Sequence, residues 1–235
     1  MKTDNTNPEK YAEFYTSENL GLDERLVTEG FYAFKPFFTG QNALELGPAI
    51  GYMTKFLVNE FDHLTVVEGS KKLLTQIPDH PKLTKIHCLF EDFTPEVEFD
   101  TIIMNHVLEH IEYPVELLKR IRNWLKKDGI FIVGVPNAKS FHRLAAVAMG
   151  LLNSEYELNG RDKKLGHFRV YDLSLLRQHV LTADFRIIKE GGLLLKFLSN
   201  SQTEKLLDKE IIDAYFKIAP DFYENSAEIF LILGK

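Results

Sequence analysis

The stretch Asn42-Ala43-Leu44-Glu45-Leu46-Gly47-Pro48-Ala49-Ile50-Gly51 decides the architecture. A short apolar run carries one acidic residue, breaks into a glycine-punctuated turn, and gives way at Tyr52 to a helical pattern. In a parallel sheet such a run is a buried strand. The glycines let the backbone come close to a ligand, and the next helix aims its N-terminus at it. Glycines also punctuate many strand-to-helix turns that bind nothing, so the weight falls on the flanking sequence.

The flanks repeat the alternation. Ala43 to Leu46 reads as a strand and Tyr52 to Phe61 as a helix; His63 to Val67 is a strand, followed by a short helix from Ser70 to Ile77. Leu83 to Leu89 is the third strand and Phe99 to Met104 the fourth, an apolar run suited to burial on both faces. Tyr113 to Leu125 is a helix closed by Lys126-Lys127-Asp128-Gly129, and Ile130 to Val135 is the fifth strand. Upstream, residues 1–20 read as a floppy start and a short helix, and residues 22–38 as an amphipathic helix ending near Pro36. After Pro136 the rhythm changes to a small-residue apolar helix, Leu144 to Leu152, and a polar loop, Asn153 to Gly166. A helix at Asp172 to Thr182, a strand at Phe185 to Lys189, a helix at Glu204 to Phe216 and a strand at Ala227 to Leu233 complete the chain. Alternating strands and helices imply right-handed crossovers and a mostly parallel sheet.

Composition narrows the class. The 235 residues, 45% hydrophobic and 26% charged, fit one soluble domain. A net charge of -6 without a long basic run argues against sequence-independent nucleic-acid binding. Arg161, Lys163, Lys164 and Arg169 form a local basic group that reads as a solvated loop. The single Cys88 excludes an internal disulfide and sits in a strand-like run as a small hydrophobe. Residues 1–10 lack the apolar core of a signal peptide, and Leu144 to Leu152 is too short to span a bilayer. The expectation is a cytoplasmic protein with no membrane partner.

Four segments in order resemble the class I S-adenosylmethionine-dependent methyltransferases. They are Glu45-Leu46-Gly47-Pro48-Ala49-Ile50-Gly51, Val66-Val67-Glu68-Gly69-Ser70, Glu91-Asp92-Phe93, and Phe99-Asp100-Thr101-Ile102-Ile103-Met104-Asn105-His106-Val107-Leu108-Glu109-His110. The resemblance covers residues 40–136 closely and 166–190 loosely. It implies an α/β fold: a Rossmann-like, seven-stranded, mostly parallel sheet with helices on both faces and an antiparallel last strand. It also implies one domain over 1–235, with a helical cap (1–38), a cofactor-binding core (40–136), a lid and acceptor insertion (137–171) and a completion of the sheet (172–235).

The implied cofactor is S-adenosyl-L-methionine, and the chemistry of the residues agrees. Gly47 and Gly51 keep side chains away from its amino acid end and ribose. Glu68, with Gly69 beside it, lies where an acid accepts both ribose hydroxyl protons. Asp92 would accept from the adenine amino group, or Glu91 if the register shifts by one. Glu45 holds the glycine loop and approaches the ammonium end, because a buried carboxylate needs a partner. Asn105 and His106 would offer backbone groups near the cofactor's amino acid end and the methyl. Ala49 stands where the family often has a glycine, which is harmless unless that position needs a positive φ.

His106-Val107-Leu108-Glu109-His110 also matches the zinc-peptidase pattern H-x-x-E-H, but the strand before it and Pro114 after it leave too short a helix. No metal is expected; Glu109 and His110 read as polar groups flanking the site, His110 toward the acceptor. The expected base is His167, in Leu165-Gly166-His167-Phe168-Arg169-Val170-Tyr171, which resembles a "G-H-x-R-x-[FY]" segment of small-molecule methyltransferases. Arg169 would bind an acidic acceptor group, Tyr171 would line the pocket, and Tyr15 would fold over the site with the N-terminal segment. His142 and Arg143, at the exit of the fifth strand, either face the acceptor or, as preferred here, belong to a lid helix.

The implied activity is methylation of a small-molecule acceptor, directed at oxygen more than nitrogen or carbon. Acceptors of this kind include a sugar or sugar-linked intermediate, a quinone precursor, or a component of a secondary metabolite or surface polymer. A homodimer is compatible with the chain. Two competing readings are a nicotinamide-dependent oxidoreductase, against which the turn lacks G-x-G-x-x-G, and a non-catalytic fold that binds a partner protein.

Overall fold

The computed structural model describes residues 8–15 and 21–235. The floppy start read for the first residues falls on 1–7, outside the described residues. The strands are β1 (Asn42–Leu46), β2 (His63–Glu68), β3 (Leu83–His87), β4 (Phe99–Asn105), β5 (Leu125–Pro136), β6 (Arg186–Leu193) and β7 (Glu228–Gly234). They form one seven-stranded sheet in the order β3-β2-β1-β4-β5-β7-β6. From β3 to β5 all neighbours are parallel. β7 runs antiparallel to β5 and β6, so the reversed last strand is as expected. Strand order turns back between β1 and β4, the switch point at which open parallel sheets leave a crevice above their carboxyl ends.

The helices are α1 (Pro8–Tyr11), α2 (Gly21–Phe34), α3 (Thr54–Glu60), α4 (Lys71–Leu74), α5 (Pro114–Trp124), α6 (Phe141–Ala148), α7 (Gly160–Leu165), α8 (Leu173–Thr182), α9 (Asn200–Leu206) and α10 (Lys209–Ile218). Strand alternation sorts their packing. Leu44, Leu46, Ile102, Met104, Phe131 and Val133 join Leu117, Leu118 and Ile121 of α5 and Leu176 and Val180 of α8 in one core. Ala43, Ile103 and Ile132 point the other way, to Leu26, Phe31 and Phe34 of α2, Leu57 of α3 and Phe216 of α10. Each such buried Leu, Ile, Val, Met or Phe side chain contributes roughly 1.5–3 kcal/mol. Glu45 alternates with Leu44 and Leu46, so its carboxylate emerges on the α2 and α3 face.

Helix boundaries moved where a cap outranked the apolar pattern. The polar stretch 153–166 contains α7: Asn159 and Asp162 form a reciprocal capping box, and Gly166 stops the helix with φ 81°. The apolar lid helix starts after Ser140 rather than at Leu144 and ends before Gly150, whose φ is 71°. The helix expected over Glu204 to Phe216 is two helices, because Ser199 and Gln202 box the start of α9 and Asp208 opens α10. The helix read over 22–38 ends at Phe34, and Pro36 turns the next residues into a 3-10 segment, Lys35–Phe37. Among the described residues no helix is long and apolar enough to cross a membrane.

Candidate functional site

At the end of β1 the chain enters the glycine turn. Gly47 adopts φ 71°, its N–H donates to Val67 O at 2.9 Å, and a Cβ there would collide with Val107 Cγ2. Ala49 has φ 49°, so the position that departs from the family does need the left-handed region. The turn survives with a non-glycine residue held in a region that costs an L-residue about 1–2 kcal/mol. Gly51 (φ 87°) closes the turn by donating to Pro48 O at 2.8 Å. It shapes the loop from behind and does not line the cleft. Glu68 ends β2 and turns its carboxylate to this loop, accepting from Ala49 N at 3.2 Å and Ser70 N at 2.8 Å. Burial raises its pKa above the usual carboxylate value despite these bonds.

Two chambers open above the carboxyl ends of the strands. The smaller, about 310 Å³, is lined by Glu68, Gly69, Leu73, Leu89, Phe90, Glu91 and Val107, with Pro8 and Tyr11 of α1 over it. The larger, about 470 Å³, is lined by Glu45, Asn105, Glu109, Asn137, His142, Arg143, Asp162, His167, Lys196 and Glu228 among others. They share Tyr15, Gly47, Ala49, His106 and Leu165, and so form one bent cleft. Both acids after β3 are exposed; Glu91 lines the smaller chamber and Asp92 does not. The cause is register: the turn after β3 bonds Asp92 N to Leu89 O at 3.0 Å, bringing the preceding residue round to the cleft.

The polar floor carries strongly coupled charges. Glu45, 4% exposed, accepts from Thr54 Oγ1 at 2.6 Å. Burial, with Glu68 nearby, pushes its pKa up to about 7. His106 follows β4 with φ 58°, a left-handed residue that throws its ring across the junction of the chambers. Its Nε2 lies 2.8 Å from Glu228 Oε1 and its Nδ1 3.7 Å from Glu109 Oε1. Burial opposes the charged ring, but the two carboxylates outweigh it and hold its pKa well above the usual value. His106 thus reaches the site through its side chain as well as the backbone foreseen from the sequence. Lys196, in the loop after β6, is buried and donates to Asn200 Oδ1. Burial lowers its pKa to about 8.

His167 faces the larger chamber directly after Gly166 ends α7. Its Nδ1 lies 3.4 Å from Asp162 Oδ1, and Asp162 is in turn held by Arg143 Nη1 at 3.1 Å. Tyr15 lines both chambers and its hydroxyl lies 3.1 Å from His110 Nε2. His110 lines the smaller chamber. Burial lowers its pKa to about 4. Two expected acceptor residues point elsewhere. The Arg169 guanidinium donates to the carbonyls of Ile111 and Glu112, pinning the loop before α5. Tyr171 is fully buried in the core, its hydroxyl 3.1 Å from His179 Nδ1 and its backbone bridged to Asn137.

Glu109, His110 and His167 bring potential ligand atoms within 4.8 Å of one another. The donor set fits a metal poorly, because His110 already gives its ring to Tyr15 and the Gly166 carbonyl, and Leu108–His110 is one short 3-10 turn.

Glu228, Lys196 and Asp162 were not singled out from the sequence. The signal for Glu228 was present: a reversed last strand starts at the carboxyl edge, so the acid opening that apolar strand enters the site. Nothing local marks Lys196, which is brought in by the turn after β6.

A family model described as a methyltransferase domain matches residues 21–190. Among curated relatives, (S)-coclaurine N-methyltransferase of Papaver somniferum is 29% identical over a match covering 54% of this chain and 39% of that enzyme. Ribosomal RNA small subunit methyltransferase A of Polaromonas naphthalenivorans is 38% identical over 28% of this chain and 23% of that enzyme. The chain thus spans well under half the length of both. Among solved structures, an S-adenosylmethionine-dependent methyltransferase of Thermotoga maritima, described as a possible histamine N-methyltransferase, superposes with a TM-score of 0.69 at 18% identity, over 96% of this chain and 99% of that one. That likeness is one of fold.

Proposed function

The chain belongs to the S-adenosylmethionine-dependent methyltransferases, and from that premise we propose that it methylates a hydroxyl of a small-molecule acceptor held in the larger chamber. One observation carries this reading: a cofactor-sized cleft and a polar chamber meet at His106, with a His167–Asp162 pair on the chamber wall.

The residues present fit the cofactor. The glycine turn leaves backbone where a Cβ would collide, and Glu68 sits buried beside it with loop amides on its carboxylate. Glu68 would hold the ribose hydroxyls, Gly69 and Glu91 the adenine end, and Glu45 with Gly47 and the backbone of Asn105 the amino acid end. When bound, the cofactor supplies an electrophilic methyl on a sulfonium; the acceptor oxygen gains the C–O bond while the C–S bond breaks with its electron pair on sulfur.

The protein's own part is alignment, exclusion of water and proton handling. Asp162 holds Nδ1 of His167, which leaves Nε2 to take the hydroxyl proton as general base. Tyr15 and His110 close the wall on the N-terminal side. Arg169 and Tyr171 act by holding the loops around the chamber. A small acceptor, rather than a nucleic acid, is supported by the net charge of -6 and by buried carboxylates on the chamber floor.

Two measurements test this reading. S-adenosylhomocysteine should raise the melting temperature by mass action, whereas a nicotinamide cofactor should not. Methyl transfer from labelled S-adenosylmethionine should go to a small hydroxylated acceptor and not to ribosomal RNA; transfer to the RNA alone would refute the proposal.

A further inference from the structure

Four buried side-chain atoms lack a hydrogen-bond partner among the described residues: Asn105 Oδ1, Glu109 Oε2, His142 Nδ1 and Glu228 Oε2. All four residues line the larger chamber. A buried polar atom left unsatisfied costs about 1–3 kcal/mol. Packing faults of that cost would be scattered through the fold; these fall on residues that line a single chamber, and Glu109 and Glu228 are 1% and 5% exposed.

We infer that the acceptor is a neutral, polyhydroxylated molecule whose hydroxyl groups donate to Asn105, Glu109, His142 and Glu228; this rests on the methyl-transfer reading of the chamber.

The chemistry of the four atoms sets the class. An amide oxygen and two carboxylate oxygens only accept. His142 Nδ1 accepts in the tautomer protonated on Nε2, and burial keeps this ring neutral by lowering its pKa to about 3. The occupant must therefore bring several donors, more than a simple phenol or carboxylic acid carries.

The charges around the chamber set its neutrality. Arg143 pairs with Asp162 at 3.1 Å, Arg161 with Asp23, and His106 with Glu228 at 2.8 Å. Glu45 accepts from Thr54 and, in the methyl-transfer reading, faces the cofactor's ammonium, which answers its charge. What remains is Glu109 and Lys196, opposite in sign, so with the cofactor in place the chamber as a whole demands no net charge. A diamine would add cations to a balanced site. Hydroxyls suit both remaining groups, because they donate to a carboxylate and accept from an ammonium. Lys196 has donors to spare, with Asn200 as the hydrogen-bonded partner of its Nζ.

The test is saturation-transfer NMR on the full chain loaded with S-adenosylhomocysteine. The probes are myo-inositol and methyl α-glucopyranoside as polyols, catechol as a phenol and putrescine as a diamine. Failure of S-adenosylhomocysteine to bind would sink the methyl-transfer reading and is read out first, by its own melting shift. With it bound, the polyols should show saturation transfer. His142→Leu, which removes one acceptor, should weaken the polyols about three- to tenfold. Glu228→Gln, which keeps the shape, should weaken them too, with melting curves confirming that both variants fold. Saturation of catechol or putrescine without the polyols, no response from any probe, or polyol binding unchanged in both variants would each overturn the inference.

Discussion

If Glu45 is a proton switch at the cofactor's ammonium end, cofactor affinity must depend on pH in a calculable way. In the free protein burial and Glu68 raise the Glu45 pKa from 4.5 to about 7. A cation placed beside it favours the ionised form and draws that value back down. If binding restores 4.5, linkage makes the affinity at about pH 5.5 roughly 30-fold lower than at about pH 8. Glu45 faces Thr54 and Glu68, and Glu68 is also shifted upward, so part of the slope belongs to it. The control is Glu45→Gln, which keeps a group able to accept from Thr54 but cannot titrate. Isothermal calorimetry with S-adenosylhomocysteine should show most of the slope gone in the variant. Stability moves with the same group. A carboxyl whose folded pKa is raised stabilises the fold fully below its unfolded value, and that contribution is lost as pH rises through the folded one. Chemical denaturation should therefore show the wild type losing about 3 kcal/mol relative to Glu45→Gln between about pH 4.5 and 8. Equal slopes in the two proteins, in either assay, would refute the assignment of the raised pKa to Glu45.

Glu68→Ala should weaken the cofactor by roughly ten- to a hundredfold, the range for a lost charged hydrogen-bond pair, with a smaller effect on the melting temperature; unchanged calorimetric affinity would remove Glu68 from the ribose. His167→Ala should lower turnover while S-adenosylhomocysteine affinity stays near normal, and a variant fully active on the true acceptor would exclude it as base. Ala49→Gly relieves a φ of 49°, but the freer unfolded chain offsets part of that gain, so urea denaturation should show a net stabilisation of about 0.5–1 kcal/mol. Gly47→Ala should do the reverse, losing at least about 2 kcal/mol to left-handed strain and the collision with Val107.

The parts of the site legible in the sequence are those fixed by local chemistry at a strand end. Gly47 and Glu68 could be placed because an apolar run ending in an acid and a glycine has few other solutions in a parallel sheet. Asp92 shows the limit of that logic. The turn after β3, with its Leu89 O–Asp92 N bond, decides which of two adjacent exposed acids lines the cleft, and that one is Glu91. Arg169 and Tyr171 failed for a different reason. Their side chains were claimed by groups far away in sequence, the carbonyls of Ile111 and Glu112 and the ring of His179 in the core. A motif cannot reveal such competitors. Glu228 and Lys196 lie beyond the region of close resemblance, and only the antiparallel closure of the sheet brings them to the same edge as Glu45 and Asn105.

The electrostatics of that edge also separate the two cofactor readings on physical grounds. Glu45, Glu68, Glu109 and Glu228 are all buried there, against the half-buried His106, which pairs with Glu228, and the buried Lys196. Carboxylates in a low-dielectric pocket repel one another and raise each other's pKa, as Glu68 does to Glu45. A nicotinamide dinucleotide would add a diphosphate to this cleft, and no glycine-rich G-x-G-x-x-G turn is present to receive it. S-adenosylmethionine brings a sulfonium and an ammonium, which relieve the excess of acid. An excess of acid in the protein alone is therefore a physical reason for a cationic donor to suit this edge better than a dinucleotide does.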